Sequence, residues 1–176
     1  SSVIDFGCGT GRGGLNLAFF GNMDVTMVDF AANCLDADIV PMLETQKHAL
    51  RFVEADLSEP LPVKAAYGFC TDVMEHIRPH LVDKVISNCL SEAQHVFFQI
   101  STVDEKASEL VGHKLHLTVR PYKWWLKKLK DHDCVMHWSK KTKGGCLFYV
   151  TAWVGGNDIV DVGVVNVNED QIKKNV

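Results

Sequence analysis

The sequence predicts an α/β fold: a doubly wound, mostly parallel seven-stranded sheet with an antiparallel C-terminal hairpin, in three αβα layers. Three observations predict it. Short β-type runs alternate with helical stretches, as in parallel sheets joined by crossover helices. The early runs are continuously apolar, as expected of strands buried on both faces. The last two runs are separated only by KKTKGG, a short polar turn typical of a hairpin.

Seven runs rich in β-branched and aromatic residues mark the expected strands. They span residues 1–6, 24–30, 50–56, 67–73, 95–101, 134–139 and 146–154. Helices are expected over residues 13–20, 31–43, 79–90 and 121–131. Gly21 suits the C-cap of the first helix. Pro41 is expected to bend or end the second helix, and Pro121 suits the first position of the last.

Length and composition bound the class of protein. The 176 residues suffice for one α/β domain, and 47% hydrophobic against 23% charged residues is typical of a globular chain. No apolar run reaches the roughly 18–20 residues that a membrane span needs. The six cysteines are scattered without a CxxC pair, which argues against a cysteine zinc site and a disulfide framework. Reduced thiols of this kind indicate a cytoplasmic protein.

Charge is distributed unevenly along the chain. The net charge is −4, yet residues 112–145 carry nine basic and only two acidic side chains. Such a local excess attracts an anionic partner, although solvated helix and hairpin faces produce the same composition. Trp124 and Trp125 are interleaved with these lysines. We expect the two indoles to form core and pocket wall rather than a platform for stacking nucleic-acid bases.

A glycine-rich stretch, GCGTGRGG, follows the first strand directly. Gly7, Gly9 and Gly11 form GxGxG, while Gly9, Gly11 and Gly14 form the GxGxxG pattern of nicotinamide dinucleotide sites, so spacing alone does not decide between them. In a dinucleotide fold the first glycine comes directly after the strand. Counted from Gly7, the third glycine of that pattern falls on Arg12. A P-loop is excluded because no GK[ST] follows.

Three aspartates follow or end the first strands and narrow the choice of ligand. Asp5 lies two positions before Gly7, where a carboxylate repels a pyrophosphate and favours a ligand with a cationic end. Asp29 ends the second strand and is placed to bind both hydroxyls of a ribose. Asp56 follows the third strand, where it could accept a hydrogen bond from an adenine amino group. A carboxylate that merely begins its own loop would occupy the same position.

The run VIDFGCGTGRG resembles motif I of the class I S-adenosylmethionine-dependent methyltransferases. MVDF, VEADL and FCTDVMEHI resemble the following motifs of that family in order and spacing, over roughly residues 1–100. The resemblance implies S-adenosyl-L-methionine as cofactor and a seven-stranded sheet whose last strand is antiparallel. It also implies a methyltransferase domain over residues 1–154, expected to lack the family's N-terminal helical segment, and a tail or linker over residues 155–176.

The resemblance further implies a set of cofactor-binding residues. The Gly7–Gly11 turn would approach the methionyl and ribose parts of the cofactor, and Asp29 would bind the ribose hydroxyls. Phe30 would lie against the adenine ring. Asp56 would contact the adenine amino group, with the Leu57 backbone beside it. Asp72 would lie near the methionyl amino group or the transferred methyl. The full predicted set is Asp5, Gly7, Cys8, Gly9, Gly11, Asp29, Phe30, Asp56, Leu57 and Asp72.

Candidate catalytic residues follow the fourth and fifth strands. A general base is needed only if the acceptor must lose a proton, and Glu75, His76 and His116 are the candidates. Alternatively, Glu75 and His76 pack against or cap the next helix, and His116 is a structural histidine beside a helix. His113 and His116 have a metal-like spacing. Because no carboxylate or cysteine near them in the sequence completes a ligand set, no metal is predicted.

The leading function is methyl transfer from S-adenosyl-L-methionine to a small-molecule or sugar-containing acceptor. An anionic acceptor would suit the basic region. A nucleic-acid acceptor is disfavoured because no NPPY or DPPY motif follows the fourth strand and Cys70 has no neighbouring proline. One alternative is an NAD(P)-dependent oxidoreductase, although no YxxxK occurs. Another is a non-catalytic, methyltransferase-like module that binds a partner through its basic face.

Overall fold

The computed structural model describes residues 1–44, 49–105 and 112–152. Within them, seven strands form one sheet in the order β3-β2-β1-β4-β5-β7-β6. The strands are β1 (Ser2–Phe6), β2 (Asp24–Asp29), β3 (Leu50–Glu54), β4 (Ala65–Thr71), β5 (Ala93–Ser101), β6 (Val135–Lys141) and β7 (Gly145–Thr151). Each lies within about two residues of a predicted strand, apart from the last, whose predicted end extends past the described residues. The predicted tail over residues 155–176 also lies outside them.

The strand directions confirm the predicted sheet. Strands β1 to β5 pair in parallel. Strand β7 is antiparallel to both β5 and β6, so β6 points the same way as the first five strands. The order reverses between β1 and β4, because the chain first builds outward through β2 and β3 and then returns to the other side of β1. In open α/β sheets, ligands bind at the carboxyl ends of the strands at such a switch point.

Among the residues that the structure describes, four α-helices and two 3-10 turns lie between the strands. The helices are α1 (Arg12–Phe19), α2 (Val40–Glu44), α3 (Val82–Glu92) and α4 (Tyr122–Lys130), and the 3-10 turns span Ala32–Cys34 and Met74–His76. The prediction for α4 is confirmed except at its start. Pro121 is the N-cap in extended conformation, one residue before the first helical position.

The prediction of one helix over residues 31–43 is wrong. A 3-10 turn comes first, Leu35 then returns to extended conformation, and only α2 is α-helical. Two contacts hold Asp36 against the glycine-rich turn. The Asp36 amide donates to the Thr10 carbonyl, and the Arg12 guanidinium binds the Asp36 carboxylate at 2.6 Å. Pro41 lies in the first turn of α2, where its missing N–H costs no helical hydrogen bond.

The core consists of two layers, one on each face of the sheet. On one face, α3 and α4 cover side chains that include Phe6, Phe98 and Phe148. On the other, α1 and the segment through α2 cover Val25, Met27 and other residues. Trp125 is fully buried in the first layer. Trp124 is half-buried with Arg120 and Lys128 over its ring. The expectation that these indoles belong to core and wall is therefore confirmed for Trp125.

A shallow hollow of about 170 Å³ lies on the α1 face of the sheet, across β1, β4, β5 and β7. Its walls are mostly aromatic and include Tyr67, Phe69, Phe97 and Tyr149. These side chains point out of the middle of the sheet rather than from the carboxyl ends of the strands. The hollow is therefore separate from the switch point. No helix of the described ranges is long and apolar enough to cross a membrane.

Candidate functional site

The glycine-rich turn begins where β1 ends. Strand β1 stops at Phe6, so Gly7 is the first residue of the turn, as the GxGxG interpretation requires. Gly7, Gly9 and Gly11 all have positive φ, at 69°, 50° and 82°, a conformation that side chains with a Cβ rarely adopt. A Cβ on Gly7 would lie 2.6 Å from the Val73 side chain, whereas one on Gly9 would meet open space. The turn is thus packed from below at Gly7 and open above Gly9.

Asp29 fastens this turn to the neighbouring strand. Its Oδ2 accepts a hydrogen bond of 2.9 Å from the Gly9 amide, and the side chain is buried. Cys34 donates from its Sγ to the Gly9 carbonyl at 3.0 Å. The turn thus engages one carboxylate oxygen of Asp29. Its predicted contact with a ribose stays a prediction.

Asp5 lies beneath the turn, at the start of α1. A Cβ built on either Gly13 or Gly14 would lie 3.2 Å from Asp5 Oδ2, so the helix backbone approaches the carboxyl closely. Oδ2 itself has no hydrogen-bond partner among the described residues. Burial, with a smaller contribution from the charge of Asp29, raises the pKa of Asp5 to about 7. A hydrogen bond from the Gly14 backbone opposes this rise only in part. A cation nearby would favour the charged form of such a buried carboxyl.

Asp72 directly follows β4, the strand that pairs with β1. It is one of two non-glycine residues in the described chain with positive φ, at 55°, a conformation that costs free energy and recurs at functional sites. Two contacts with Gln99 hold it there: its amide donates to the Gln99 carbonyl, and its Oδ2 accepts from Gln99 Nε2, both at 3.0 Å. Val73, the next residue, packs under Gly7. Neither Gln99 nor Val73 was predicted from the sequence.

The residues predicted around an adenine ring lie along the same edge of the sheet. Phe30 directly follows β2 and is 77% exposed. The Ala55 amide donates to the Asp29 carbonyl, which brings Asp56 beside the end of β2. Asp56 Oδ1 accepts from the Ser58 amide at 2.7 Å, and this bond lowers the pKa of Asp56. The carboxylate therefore begins its own loop, as the alternative interpretation has it, and its second oxygen remains available.

Glu75 is the deepest polar residue at the end of β4. It lies in the 3-10 turn Met74–His76, and its side chain is fully buried. Its Oε1 accepts from the Ser101 amide at 2.9 Å, while Oε2 has no partner among the described residues. Burial raises the pKa of Glu75, and the charge of Asp72 adds to this effect. The alternative that Glu75 caps the next helix is wrong, because the N-cap of α3 is Leu81 and no side chain caps it.

His76 and His116, 40 positions apart in the sequence, meet in the fold. Their ring centroids are 4.8 Å apart in an edge-to-face arrangement. His76 Nδ1 lies 3.1 Å from the Leu115 carbonyl, and His116 Nδ1 lies 2.7 Å from the Val103 carbonyl. The three predicted catalytic candidates are thus neighbours, and each offers one potential ligand atom within 4.8 Å of the others. Such a group can transfer protons or hold a cation.

The contact between these histidines depends on Thr118. Its amide donates to the Glu75 carbonyl at 2.8 Å, and its hydroxyl donates to the Ile77 carbonyl at 2.6 Å. These bonds fasten the segment after β5 onto the turn after β4. A signal for this existed in the sequence, because β4 and β5 are parallel neighbours and residues beyond their carboxyl ends meet at one edge.

Comparison with known proteins decides the family. A family model described as a methyltransferase domain matches residues 3–96, more than half of the chain. The chain belongs to the methyltransferase domain family. The matched region of this methyltransferase contains the glycine-rich turn, Asp29, Asp56, Asp72 and the Glu75–His76 pair, whereas His116 and the hairpin lie beyond it. No curated protein sequence matches the chain significantly.

Solved structures with the same fold are numerous and distant in sequence. An S-adenosylmethionine-dependent methyltransferase from Clostridium acetobutylicum is 15% identical, with a TM-score of 0.68 over 85% of this chain and 83% of that one. Magnesium protoporphyrin IX methyltransferase from Synechocystis is 18% identical, with a TM-score of 0.67 over 85% and 72%. Phosphoethanolamine N-methyltransferase 2 from Haemonchus contortus is 20% identical, with a TM-score of 0.64 over 80% and 34%. The fold of this methyltransferase is that of class I S-adenosylmethionine-dependent methyltransferases.

Proposed function

We propose that this methyltransferase transfers the methyl group of S-adenosyl-L-methionine to a small-molecule acceptor at the carboxyl edge of β1, β2 and β4. The observation that carries the proposal is the Gly7–Gly11 turn, which Asp29 holds open above Gly9 at the switch point of the sheet. The cofactor would lie over Gly9, where a Cβ would meet nothing and a ligand can approach the backbone closely.

The charges around the turn support a cationic cofactor. Asp5, Asp29 and Asp72 all lie in or directly beyond the strand ends that hold the turn. A pyrophosphate there would be repelled by the carboxylates of Asp29 and Asp72, and its negative charge would disfavour ionisation of the buried Asp5. The only basic side chain of the turn, Arg12, is engaged by Asp36 at 2.6 Å and by Asp38 at 2.9 Å. These charges disfavour an NAD(P)-dependent oxidoreductase, which would need compensation for its phosphates.

The residues around the turn would each contact a different part of the cofactor. Asp29 Oδ1 would accept from the ribose hydroxyls, and the buried carboxyl of Asp5 would lie beneath the positive end. Asp72, held by Gln99, would accept from the methionyl ammonium. Phe30 would cover the adenine ring, and the second oxygen of Asp56, with the Leu57 backbone beside it, would accept from its amino group.

Methyl transfer mainly requires the protein to align the acceptor with the cofactor. S-adenosylmethionine supplies a methyl group on a positively charged sulfur, so the leaving group is already activated. The chain must hold the acceptor in line with that methyl group, an effect that contributes several kcal/mol (about 7–11 at most). Where the acceptor is a hydroxyl, a base must take its proton. Glu75, His76 and His116 stand where the acceptor would approach, beyond the ends of β4 and β5.

A small-molecule acceptor is supported by the kinds of substrate that methyltransferases of this fold accept. The Synechocystis and Haemonchus enzymes are named for magnesium protoporphyrin IX and a phosphorylated ethanolamine, which are both small molecules. The basic region supports an anionic or sugar-containing acceptor less strongly than its composition indicates, because Lys114, Lys127 and Lys128 form ion pairs with aspartates.

Thermal unfolding with added S-adenosylmethionine, S-adenosylhomocysteine or NAD tests the proposal. A ligand that binds only the folded state at about 100 times its dissociation constant adds about 2.7 kcal/mol of stability, which is a shift of several degrees for a chain of this size. We expect S-adenosylmethionine and S-adenosylhomocysteine to shift the midpoint and NAD to leave it unchanged. A shift with NAD alone would refute the proposal, and no shift with any of them would favour a non-catalytic module.

Two variants of β2 sharpen this test. Asp29→Ala removes the carboxylate at the end of the strand that touches Gly9, and we expect it to abolish the shift by S-adenosylmethionine. Asp24→Ala is the matched control, since Asp24 begins the same strand, is partly exposed and forms an ion pair with Arg51. It should keep the full shift. Equal shifts in the two variants would show that the cofactor binds elsewhere.

A further inference from the structure

Three side chains from two distant parts of the sequence form a compact group, here called the Glu–His–His cluster: Glu75, His76 and His116. Each offers one potential ligand atom, and these atoms lie within 4.8 Å of one another. Two of the residues are buried, and His76 is exposed. The cluster is therefore open to solvent on one side and closed on the other.

The Nδ1 atom of each histidine faces a backbone carbonyl. His76 Nδ1 faces the Leu115 carbonyl at 3.1 Å, and His116 Nδ1 faces the Val103 carbonyl at 2.7 Å. A carbonyl accepts hydrogen bonds and cannot donate them, so each Nδ1 must carry the proton. In each neutral ring the lone pair is then on Nε2. This arrangement, with Nδ1–H donated to a carbonyl and Nε2 free, is the one that fixes metal-binding histidines.

Glu75 supplies an oxygen with no other assigned partner. The Ser101 amide holds Oε1, and Oε2 is buried without a hydrogen bond among the described residues. Leaving a carboxylate oxygen buried and unpaired is costly unless a cation or donor neutralises it. The oxygen is thus a second, independent sign that the cluster takes a ligand.

A fourth donor lies nearby. Glu105 Oε2 is 3.6 Å from His116 Nε2. Zinc binds imidazole nitrogen at about 2.0–2.1 Å and carboxylate oxygen at about 2.0–2.2 Å, so in a tetrahedral site two of its ligand atoms lie about 3.4 Å apart. The 4.8 Å limit of the cluster exceeds this by about 1.4 Å. Binding therefore requires the ligand side chains to move toward the ion, and the exposed His76 has the room to do so.

We infer that the Glu–His–His cluster binds one divalent transition-metal ion, with zinc the best match to two imidazoles and a carboxylate. Magnesium and calcium prefer sites made wholly of oxygen, and imidazole ligands select zinc and its neighbours in the first transition row. The sequence predicted no metal because nothing near His116 along the chain completes a ligand set. The fold supplies the missing carboxylate from the end of β4.

The ion's role rests on the proposed function, whereas its binding does not. Three protein ligands leave a zinc ion an open position, and an oxygen bound there becomes more acidic. An acceptor hydroxyl at that position would lose its proton more readily, and the O–CH₃ bond would form as the C–S bond breaks. The proton would pass to solvent or to a nearby base such as Glu105.

Calorimetric titration of the chelator-treated protein with zinc chloride tests the site. We expect one ion bound per chain, at least tenfold weaker binding in both His76→Ala and His116→Ala, and weaker binding in Glu75→Gln. His80→Ala is the matched control, because His80 is an exposed histidine four residues beyond His76. The zinc affinity of this variant should equal that of the unchanged protein.

The outcomes separate this inference from the proposed function. No zinc binding by the unchanged protein overturns the metal site, whatever the variants do, and so does undiminished affinity in both histidine variants. Circular dichroism identifies any variant that fails to fold. Stabilisation by S-adenosylmethionine is measured on the same samples without zinc. If it is absent while zinc binds, the metal site stands and the proposed methyl transfer fails; if it is present without zinc binding, the reverse holds.

Discussion

Gly7 and Gly9 have similar backbone conformations and different surroundings. Both have positive φ, but only Gly7 would force a Cβ into another side chain, that of Val73. We therefore expect Gly7→Ala to lower the free energy of unfolding by several kcal/mol, from backbone strain and steric overlap together (about 1–2 and about 1–3 kcal/mol). Gly9→Ala should cost only the first of these. Chemical denaturation measures both.

The Gly9→Ala variant also distinguishes an effect on cofactor binding from an effect on stability. Since Gly9 faces open space where the cofactor is proposed to lie, Gly9→Ala should weaken S-adenosylmethionine binding at least tenfold while the protein remains folded. Unchanged affinity in folded Gly9→Ala would place the cofactor elsewhere along the sheet edge.

Asp5 makes stability depend on pH. Its pKa is raised to about 7 by burial, so the folded state holds the proton more tightly than the unfolded chain. The stabilisation is complete below the unfolded pKa near 4 and is lost as the pH rises through 7, by at most about 4 kcal/mol. We expect the free energy of unfolding to fall between pH 5 and 8, and this fall to be smaller in Asp5→Asn. Urea unfolding across that range measures it, and parallel slopes in the two proteins would contradict the account.

At the scale of elements, the segment from Gly112 to Pro121 has no helix or strand and is held by side chains. Thr118 is 1% exposed and donates to the Ile77 carbonyl. Thr118→Val keeps the shape and leaves that carbonyl unpaired, which should cost about 1–3 kcal/mol of stability. Thr142→Val, in the exposed hairpin turn, is the control and should change stability little. Equal losses in both variants would show that Thr118 does not fasten the segment.

Elements were predictable where a local signal decides them. The strands follow from apolar runs, and the hairpin follows from two glycines in a polar turn. The helix over residues 31–43 was mispredicted because its conformation is set by contacts with a distant segment, those of Asp36 with Thr10 and Arg12. The pattern of apolar residues within 31–43 carries no information about contacts with that distant segment.

For the whole molecule, the two halves of the site differ in how far the sequence reveals them. The proposed cofactor half lies in one continuous motif region whose turn, spacing and carboxylates are local features. The proposed acceptor half depends on the meeting of Glu75 and His116, 41 positions apart. Each was predicted as a candidate separately. Their proximity, and the carbonyl contacts that orient both histidine rings, required the fold.

The central claim is that the Gly7–Gly11 turn binds S-adenosylmethionine. Isothermal titration of the purified chain with S-adenosylmethionine and, separately, with NAD tests it most directly, using Asp29→Ala and Asp24→Ala alongside. The account predicts one S-adenosylmethionine per chain, no heat with NAD, loss of affinity of at least tenfold in Asp29→Ala and none in Asp24→Ala. Binding of NAD in place of S-adenosylmethionine, or full S-adenosylmethionine affinity in Asp29→Ala, would contradict it.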